Sequence, residues 1–317
     1  MAADRSTHAL PLAPEARSHA STENAAWLAV LAALPSEQIA ALAVRGFGRT
    51  AILLLQNACE SRCFFCASAG TTRMPANEVT TVARVDAWVA DAQRLMLDRI
   101  CVGGTEPALH PAFERALESL AGHAPVELMT SGLRLATPGT ARHWFELGVR
   151  SVAVPIYSTR ASAHDAVVDT SGALERVSAG LDAARDAGIE VYVHTLALKR
   201  TLSELDALAA TTRTRWSTRL AIGVSRPKAG TWSWSDEAAT WSELELAASS
   251  LDVSLVGFPH CVLRGKPRGA ARVIEAYFRT TRTAFASECG ACSDRPDCVG
   301  VMDEDLARGM KLDPITR

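Results

Sequence analysis

The sequence contains no hydrophobic run long enough to cross a membrane and no surplus of basic charge. None of its stretches reaches the roughly 18 consecutive apolar residues expected of a spanning helix. The N-terminal residues MAADRSTHALPLAPEARSHAS have no apolar segment behind a basic start, so they do not resemble a secretory signal. Lys and Arg are scattered through a chain of net charge −2, which argues against nucleic acid or a membrane surface as a partner. These absences predict a cytoplasmic protein.

The composition divides the chain into four parts. Residues 1–22 are rich in Ala, Pro, Ser and charge, and we expect them to form a disordered or loosely docked arm. Residues 23–49 contain one helical stretch, Glu23–Ala33, and are interpreted as an N-terminal helical segment. We expect residues 50–230 to form the core and residues 231–317 a C-terminal region. Because 48% of the residues are hydrophobic, the chain can bury a sizeable core.

Short apolar runs alternate with helical patterns from about residue 50 onward. Continuous apolar runs fit strands that are buried on both faces of a parallel sheet. They occur at 50–56, 99–102, 126–129, 151–156, 190–196 and 220–224, with a possible further strand at 253–256. Near residue 202, Thr201 and Glu204 have the spacing of a capping box at the start of a helix. The pattern predicts an α/β fold, a partial (β/α)6 TIM-like barrel with a small C-terminal cysteine-rich module.

Cysteine is the informative residue type, with eight in the chain. In a long chain without a secretory signal, closely spaced cysteines bind metal more often than they form disulfides. Cys101 lies alone inside the second predicted strand and is interpreted as a small apolar core residue. The other seven cysteines form two sets, one after the first predicted strand and one towards the C-terminus.

The first set is Cys59, Cys63 and Cys66, in the spacing C-x3-C-x2-C. Three thiolates this close on one loop can reach a single metal centre. A [4Fe–4S] cluster takes one cysteine on each iron, so three cysteines leave one iron open to a small molecule. A zinc site, which takes four protein ligands in structural sites, and three unpaired thiols remain as alternatives.

This spacing, with Phe65 before the third cysteine, resembles the signature of the radical S-adenosylmethionine (SAM) superfamily. The resemblance continues after the second strand, where Gly103-Gly104-Thr105-Glu106-Pro107 is similar to the Gly-Gly-Glu-Pro loop of that family with one Thr inserted. The resemblance implies that this loop contacts the amino group of SAM. The inserted Thr105 leaves open whether Glu106 or a backbone carbonyl makes that contact.

Further positions resemble the family at the ends of later strands. Ser131 lies in Met-Thr-Ser-Gly, which is similar to the family's Thr-Asn-Gly step, and Tyr157 and Ser158 follow the fourth strand. The resemblance implies that these side chains help to hold SAM. Arg226, after the sixth strand, is a candidate for a carboxylate of SAM or substrate. The stretch from His164-Asp165 to Gly172 also resembles the family, but no chemistry can be assigned to it.

The second set is Cys261, Cys289, Cys292 and Cys298, enough for a closed iron–sulfur cluster. The spacing C-x2-C-x5-C of the last three resembles part of the auxiliary-cluster modules called SPASM or twitch domains. Position 302 is Met where the full SPASM pattern needs a further cysteine, which favours one auxiliary cluster at most. Structural zinc is one alternative. Another is that Cys261 is not a ligand, in which case His260 substitutes for it or is structural.

The resemblance implies an enzyme with two [4Fe–4S] clusters, SAM, and an external one-electron reductant such as flavodoxin or ferredoxin. A 5′-deoxyadenosyl radical formed from SAM would abstract hydrogen from the substrate. The auxiliary cluster would then accept an electron or bind the substrate. We expect oxidative modification of a small-molecule metabolite, as in natural-product biosynthesis. The alternatives are a maturase of ribosomally made peptides and a zinc- or cluster-binding scaffold without activity.

Overall fold

The fold is an α/β partial barrel, seen in a computed structural model that describes residues 40–44, 48–55, 58–66, 80–225, 234–263, 285–295 and 298–316. Its sheet has eight strands in chain order. β1 is antiparallel to β2, and every later pair of neighbours is parallel. The strands are β1 (Ala40–Val44), β2 (Gly48–Leu55), β3 (Arg99–Gly104), β4 (Val126–Met129), β5 (Val149–Pro155), β6 (Glu190–Leu196), β7 (Ala221–Gly223) and β8 (Ser254–Val256).

Helices connect the parallel strands and cover the sheet. In α1, Val85, Trp88 and Ala92 are buried at three- and four-residue steps, which places them on one face. The Thr81 hydroxyl accepts a hydrogen bond from Arg84 N and begins this helix. The described helices are α1 (Val82–Gln93), α2 (Phe113–Leu120), α3 (Thr140–Glu146), α4 (Ala161–Val168), α5 (Ala173–Asp186), α6 (Leu205–Trp216), α7 (Trp234–Glu237), α8 (Trp241–Ala248) and α9 (Asp303–Ala307).

The two faces of the sheet can be assigned from β5. A Cβ atom at Gly132 would lie 2.7 Å from Val154 Cγ1 and 3.5 Å from Val177 Cγ1, so Val154 faces helix α5. Side chains alternate along a strand, and therefore Ala153 and Pro155 face the other side. Because the helices of a parallel barrel lie outside the sheet, that other side is the barrel interior.

The predicted partial barrel is confirmed, and the described strands extend it. The parallel part has seven strands, β2 to β8, because the possible strand near residue 253 joins the sheet beside β7. The sheet therefore continues past residue 230, where we placed the end of the core. The prediction of a helical segment for residues 23–49 is wrong at Ala40–Val44, which pairs with β2 through backbone hydrogen bonds. Residues 1–39, with the predicted arm, lie outside the described residues.

The predicted capping box is also wrong. Residues Lys199–Glu204 form a 3-10 turn ahead of α6, and the Thr201 hydroxyl donates to Leu198 O at 3.1 Å. Glu204 makes no side-chain cap for α6 because its carboxylate is engaged elsewhere, as described below. Among the described residues, no helix is both long enough and apolar enough to span a membrane.

Candidate functional site

The first three cysteines lie together on the loop that leaves the carboxyl end of β2. Cys59, Cys63 and Cys66 are all half-buried, and Cys66 N donates to Cys63 O at 2.9 Å in a tight turn. Burial raises the pKa of the Cys59 thiol to about 11, and the nearby charge of Cys66 adds to the effect. Burial also raises the pKa of Cys63, with further contributions from Cys66 and Cys59. The three sulfurs are therefore close enough to repel one another as thiolates, and a cationic centre would relieve that repulsion.

The number and kind of the donors on this loop suit an iron–sulfur cluster. A [4Fe–4S] cluster places each cysteine on a different iron, so its ligands need not converge on one point. Three thiols on one loop fit a cluster with one iron left open.

The loop after β3 lies directly against the cysteine loop. Thr105 N donates to Leu55 O at 3.2 Å, and Glu106 N donates to Ala58 O at 3.3 Å. Gly104 has φ +128°, and a Cβ atom there would lie 2.1 Å from Leu55 O, so only glycine fits this approach. This contact places the backbone of residues 103–106 beside the cysteine loop.

The side chain of Glu106 points into the protein and joins two strand ends. It is fully buried, and both carboxylate oxygens lie 2.8 Å from the Thr130 hydroxyl that donates to them. Ser131 N donates to Glu106 Oε2 at 2.7 Å, and Ala108 N donates to Oε1 at 3.2 Å. Burial raises the pKa of Glu106, and these hydrogen bonds oppose the shift. Protein donors therefore already engage both oxygens of this carboxylate.

The ring of Tyr157 packs against the cysteine loop. Its ring meets Phe65 edge-on at 5.5 Å and stacks on His164 at 5.8 Å, and Tyr157 N donates to His164 Nδ1 at 3.2 Å. On the same loop, Arg62 N donates to Val168 O at 2.9 Å, at the end of α4. Helix α4 therefore supports the cysteine loop through both side-chain and backbone contacts.

Ser158 is buried and belongs to a polar network that sequence reasoning missed. Its hydroxyl donates to Glu204 Oε2 at 2.8 Å and accepts from Arg160 N at 2.9 Å. Arg160 forms an ion pair with Glu204 at 2.6 Å, which lowers the pKa of that carboxyl. The spacing around Glu204 predicts only a helix cap, and no local signal connects this residue with one 46 positions away. Arg226 lies outside the described residues.

The four C-terminal cysteines surround one small pocket. Cys261, Cys289, Cys292 and Cys298 line it together. Cys261 follows the carboxyl end of β8, while the first cysteine set follows β2, so the two sets lie at opposite edges of the parallel strands. Burial raises the pKa of Cys261 and of Cys298, and charges on the neighbouring cysteines of the set add to both shifts.

Two backbone amides donate to one of these cysteines, and a histidine lies next to it in the fold. His260 N and Gly300 N both donate to Cys298 Sγ at 3.4 Å. The ring of His260 lies 3.4 Å from an oxygen of Asp294 through Nδ1, which gives this histidine a structural contact. Cys101, by contrast, lies within β3, where it is buried and its thiol is 3.8 Å from Glu127 Oε2.

Comparison with known proteins identifies the family. Residues 53–211, half of the chain, match the Radical SAM superfamily. The chain therefore belongs to the radical SAM superfamily, a family of enzymes that use SAM. The family implies a [4Fe–4S] cluster together with SAM.

Two curated relatives match the core. The AdoMet-dependent heme synthase of Methanosarcina barkeri is 30% identical over 148 residues, 46% of this chain and 42% of the relative. The GTP 3′,8-cyclase of Caulobacter vibrioides is 29% identical over 167 residues, 49% of this chain and 46% of the relative. The aligned part thus spans less than half the length of either relative.

Solved structures share the fold. Streptococcus suis SuiB bound to S-adenosylmethionine aligns with a TM-score of 0.57 at 10% identity, over 84% of this chain and 75% of SuiB. SuiB bound to its precursor peptide SuiA aligns with a TM-score of 0.50 at 10% identity, over 62% of this chain and 44% of SuiB. At this identity the likeness concerns the fold alone.

Proposed function

We propose that this enzyme cleaves SAM at a [4Fe–4S] cluster held by Cys59, Cys63 and Cys66. The observation that carries the proposal is the placement of these three neighbouring thiols against the backbone of residues 103–106. When bound, the cluster supplies one electron that breaks the sulfonium C–S bond of SAM, giving methionine and a 5′-deoxyadenosyl radical. An external one-electron reductant such as flavodoxin or ferredoxin would supply that electron.

The residues around the cysteine loop have separable tasks. In the proposal, backbone carbonyls of Gly103, Gly104 and Thr105 receive the ammonium group of SAM, because Glu106 is fully committed to Thr130 and its neighbours. Glu106 fixes the shape of the loop. The rings of Phe65 and Tyr157 exclude water from one side of the cysteines.

Three other candidates keep smaller proposed parts. Ser131 contributes its backbone amide to the Glu106 carboxylate, so its part is to position that loop. Ser158 positions the strand end through Glu204. Arg226 remains a proposed contact for a carboxylate of SAM or substrate.

The proposal includes an auxiliary [4Fe–4S] cluster on Cys261, Cys289, Cys292 and Cys298, as in a SPASM- or twitch-like module. Support comes from the shared pocket of these four thiols and from the two backbone amides that donate to Cys298. A cluster with four cysteine ligands suits electron transfer, and it would accept the electron lost when the substrate is oxidised. The competing occupant is structural zinc.

A small-molecule metabolite, as in natural-product biosynthesis, is the proposed substrate class. Two of the curated relatives that match the core are named for GTP cyclisation and for heme synthesis, both small-molecule reactions. A peptide is the second candidate, favoured by the shared fold of SuiB in complex with the SuiA peptide. None of the eight cysteines, all of them among the described residues, forms a disulfide, in keeping with a proposed place in the reducing cytoplasm.

The test is anaerobic reconstitution followed by iron and sulfide analysis, Mössbauer spectroscopy and an assay for 5′-deoxyadenosine. Wild type should hold about eight irons, and replacing Cys59, Cys63 and Cys66 together with Ala should leave about four and abolish 5′-deoxyadenosine formation. Replacing Cys289 and Cys292 with Ala should also leave about four irons. The matched control Cys101→Ala should keep both clusters.

Three results would overturn parts of this proposal. If 5′-deoxyadenosine formation survives the triple change, the SAM site is wrongly assigned. About four irons and one zinc per wild-type chain would make the C-terminal cysteines a structural zinc site. A peptide fraction of cell extract that stimulates SAM cleavage, where the low-molecular-mass fraction does not, would replace the small-molecule substrate with a peptide.

A further inference from the structure

His194 lies on the inner face of the barrel, near the carboxyl end of β6. It pairs in register with Pro155 of β5 and with Ala221 of β7. Register partners on parallel strands point to the same side of a sheet, and Pro155 faces the interior because the adjacent Val154 faces helix α5. The imidazole of His194 therefore points into the barrel, and only 9% of this residue is exposed.

Neither ring nitrogen of His194 has a hydrogen-bond partner among the residues that the structure describes. A buried polar group left without a partner costs roughly 1–3 kcal/mol, so such a group is rarely kept without a use. Burial lowers the pKa of His194 to about 4, which makes the ring neutral at pH 7. A neutral imidazole presents one hydrogen-bond donor and one acceptor.

On the neighbouring strands β5 and β7, small residues share the inner face with His194, whereas Tyr192 and Leu196 share it on β6 itself. Ala153 faces inward one step below Pro155, and Ala221 and Gly223 occupy the inner positions of β7. Their short side chains fill little of the space beside the imidazole. Strands β2 to β7 are parallel, so their carboxyl ends lie at the same end of the barrel. His194 is therefore near the end of the barrel at which the cysteine loop leaves β2.

We infer that His194 is a substrate-binding residue inside the barrel and that it binds an uncharged hydroxyl or carboxamide group of the substrate. Such a group can accept from the N–H of the ring or donate to its other nitrogen, and because the two nitrogens point in divergent directions it satisfies one of them. The register neighbours Pro155 and Ala221 carry no charge that would balance an ionic ligand. This inference rests on the proposed function, because it assumes that the barrel interior receives the substrate beside SAM.

The test uses crystals of the anaerobic, cluster-loaded enzyme with SAM, soaked separately in acetamide, ethylene glycol and formate. Acetamide and ethylene glycol should each appear within hydrogen-bond distance of a His194 ring nitrogen, and formate should not. His194→Phe, which keeps an aromatic ring without nitrogens, should lose both probes, while His194→Gln should retain acetamide. His143→Phe, on the exposed side of α3, is the matched control and should bind the probes as wild type does.

Several outcomes would overturn the inference. The site would be refuted if crystals of wild type showed protein groups bound to both ring nitrogens or only ordered water beside them. It would also be refuted if His194→Phe bound the probes as well as wild type does. Formate bound in place of the neutral probes would refute the chemical class. The 5′-deoxyadenosine assay on wild type is read separately: its failure refutes the proposed function, whereas the soaks decide the role of His194.

Discussion

Two buried threonines at strand ends differ in whether their hydroxyl groups are hydrogen-bonded. Thr130, directly after β4, donates its hydroxyl to the buried carboxylate of Glu106 and accepts from Gly132 N at 3.2 Å. Thr195, near the end of β6, is equally buried, yet its hydroxyl has no hydrogen-bond partner among the residues that the structure describes. Removing the first hydroxyl breaks a charge-assisted hydrogen bond, and removing the second takes away an unsatisfied group.

Thr130→Val should therefore destabilise the protein, while Thr195→Val should be neutral or stabilising. For Thr130→Val we expect the free energy of unfolding to fall by about 2 kcal/mol, which is typical for the loss of a hydrogen bond to a buried charged group. Guanidinium unfolding of the two variants and wild type, followed by circular dichroism, measures the difference. Equal destabilisation by both changes would mean that steric effects dominate and that the Glu106 network contributes little.

At the scale of elements, adjacent residues of α4 link the cysteine loop to α5. His164 accepts from Tyr157 N, behind the cysteine loop. Asp165 accepts from Gly172 N at 2.6 Å and from Leu174 N at 3.0 Å, so its carboxylate caps the start of α5. The stretch from His164-Asp165 to Gly172, which resembles the family but carried no assigned chemistry, thus has a structural account.

Asp165→Ala should lower the free energy of unfolding by about 1–2 kcal/mol, because it removes both hydrogen bonds to the first turn of α5. Asp165→Asn keeps a carbonyl oxygen and should lose less. Asp169→Asn is the matched control, since it removes an exposed ion pair with Arg62, keeps a residue type that tolerates the left-handed φ of 47° at this position, and should cost below about 1 kcal/mol. Thermal melts of the three variants rank them, and an Asp165→Ala melt no lower than that of the control would refute the cap.

The sequence predicts elements well where the pattern is local. Val126–Met129 and Glu190–Leu196 have the predicted bounds, because continuous apolar runs are decisive for strands buried on both faces. Ala40–Val44 was missed because its alanines favour helix, and only pairing with β2 makes it a strand. In the candidate site the motifs name Glu106 and Ser158, but the partners of Ser158 come from tertiary packing that spacing does not encode.

On the scale of the whole molecule, two buried histidines tie stability to pH. Burial lowers the pKa of His164 and of His194 to about 4, although Asp165 partly opposes the shift at His164. Because these folded-state pKa values lie below the unfolded value of about 6.5, the unfolded chain takes up protons that the folded chain does not. Stability is therefore full above pH 6.5 and falls as the pH drops towards 4.

From pH 7.5 to 5.5, each histidine should remove roughly 1 kcal/mol from the free energy of unfolding. Glu106 acts in the opposite direction, since its pKa is raised by burial, so the histidine effect is isolated by comparing variants. Guanidinium unfolding of reduced apo-protein at both pH values should show a smaller pH dependence in His164→Gln/His194→Gln than in wild type. His143→Gln, which replaces a half-exposed ring, is the matched control. If the double variant keeps the full wild-type dependence, the two imidazoles are not held neutral by the fold, and the stability of the barrel at low pH has another origin.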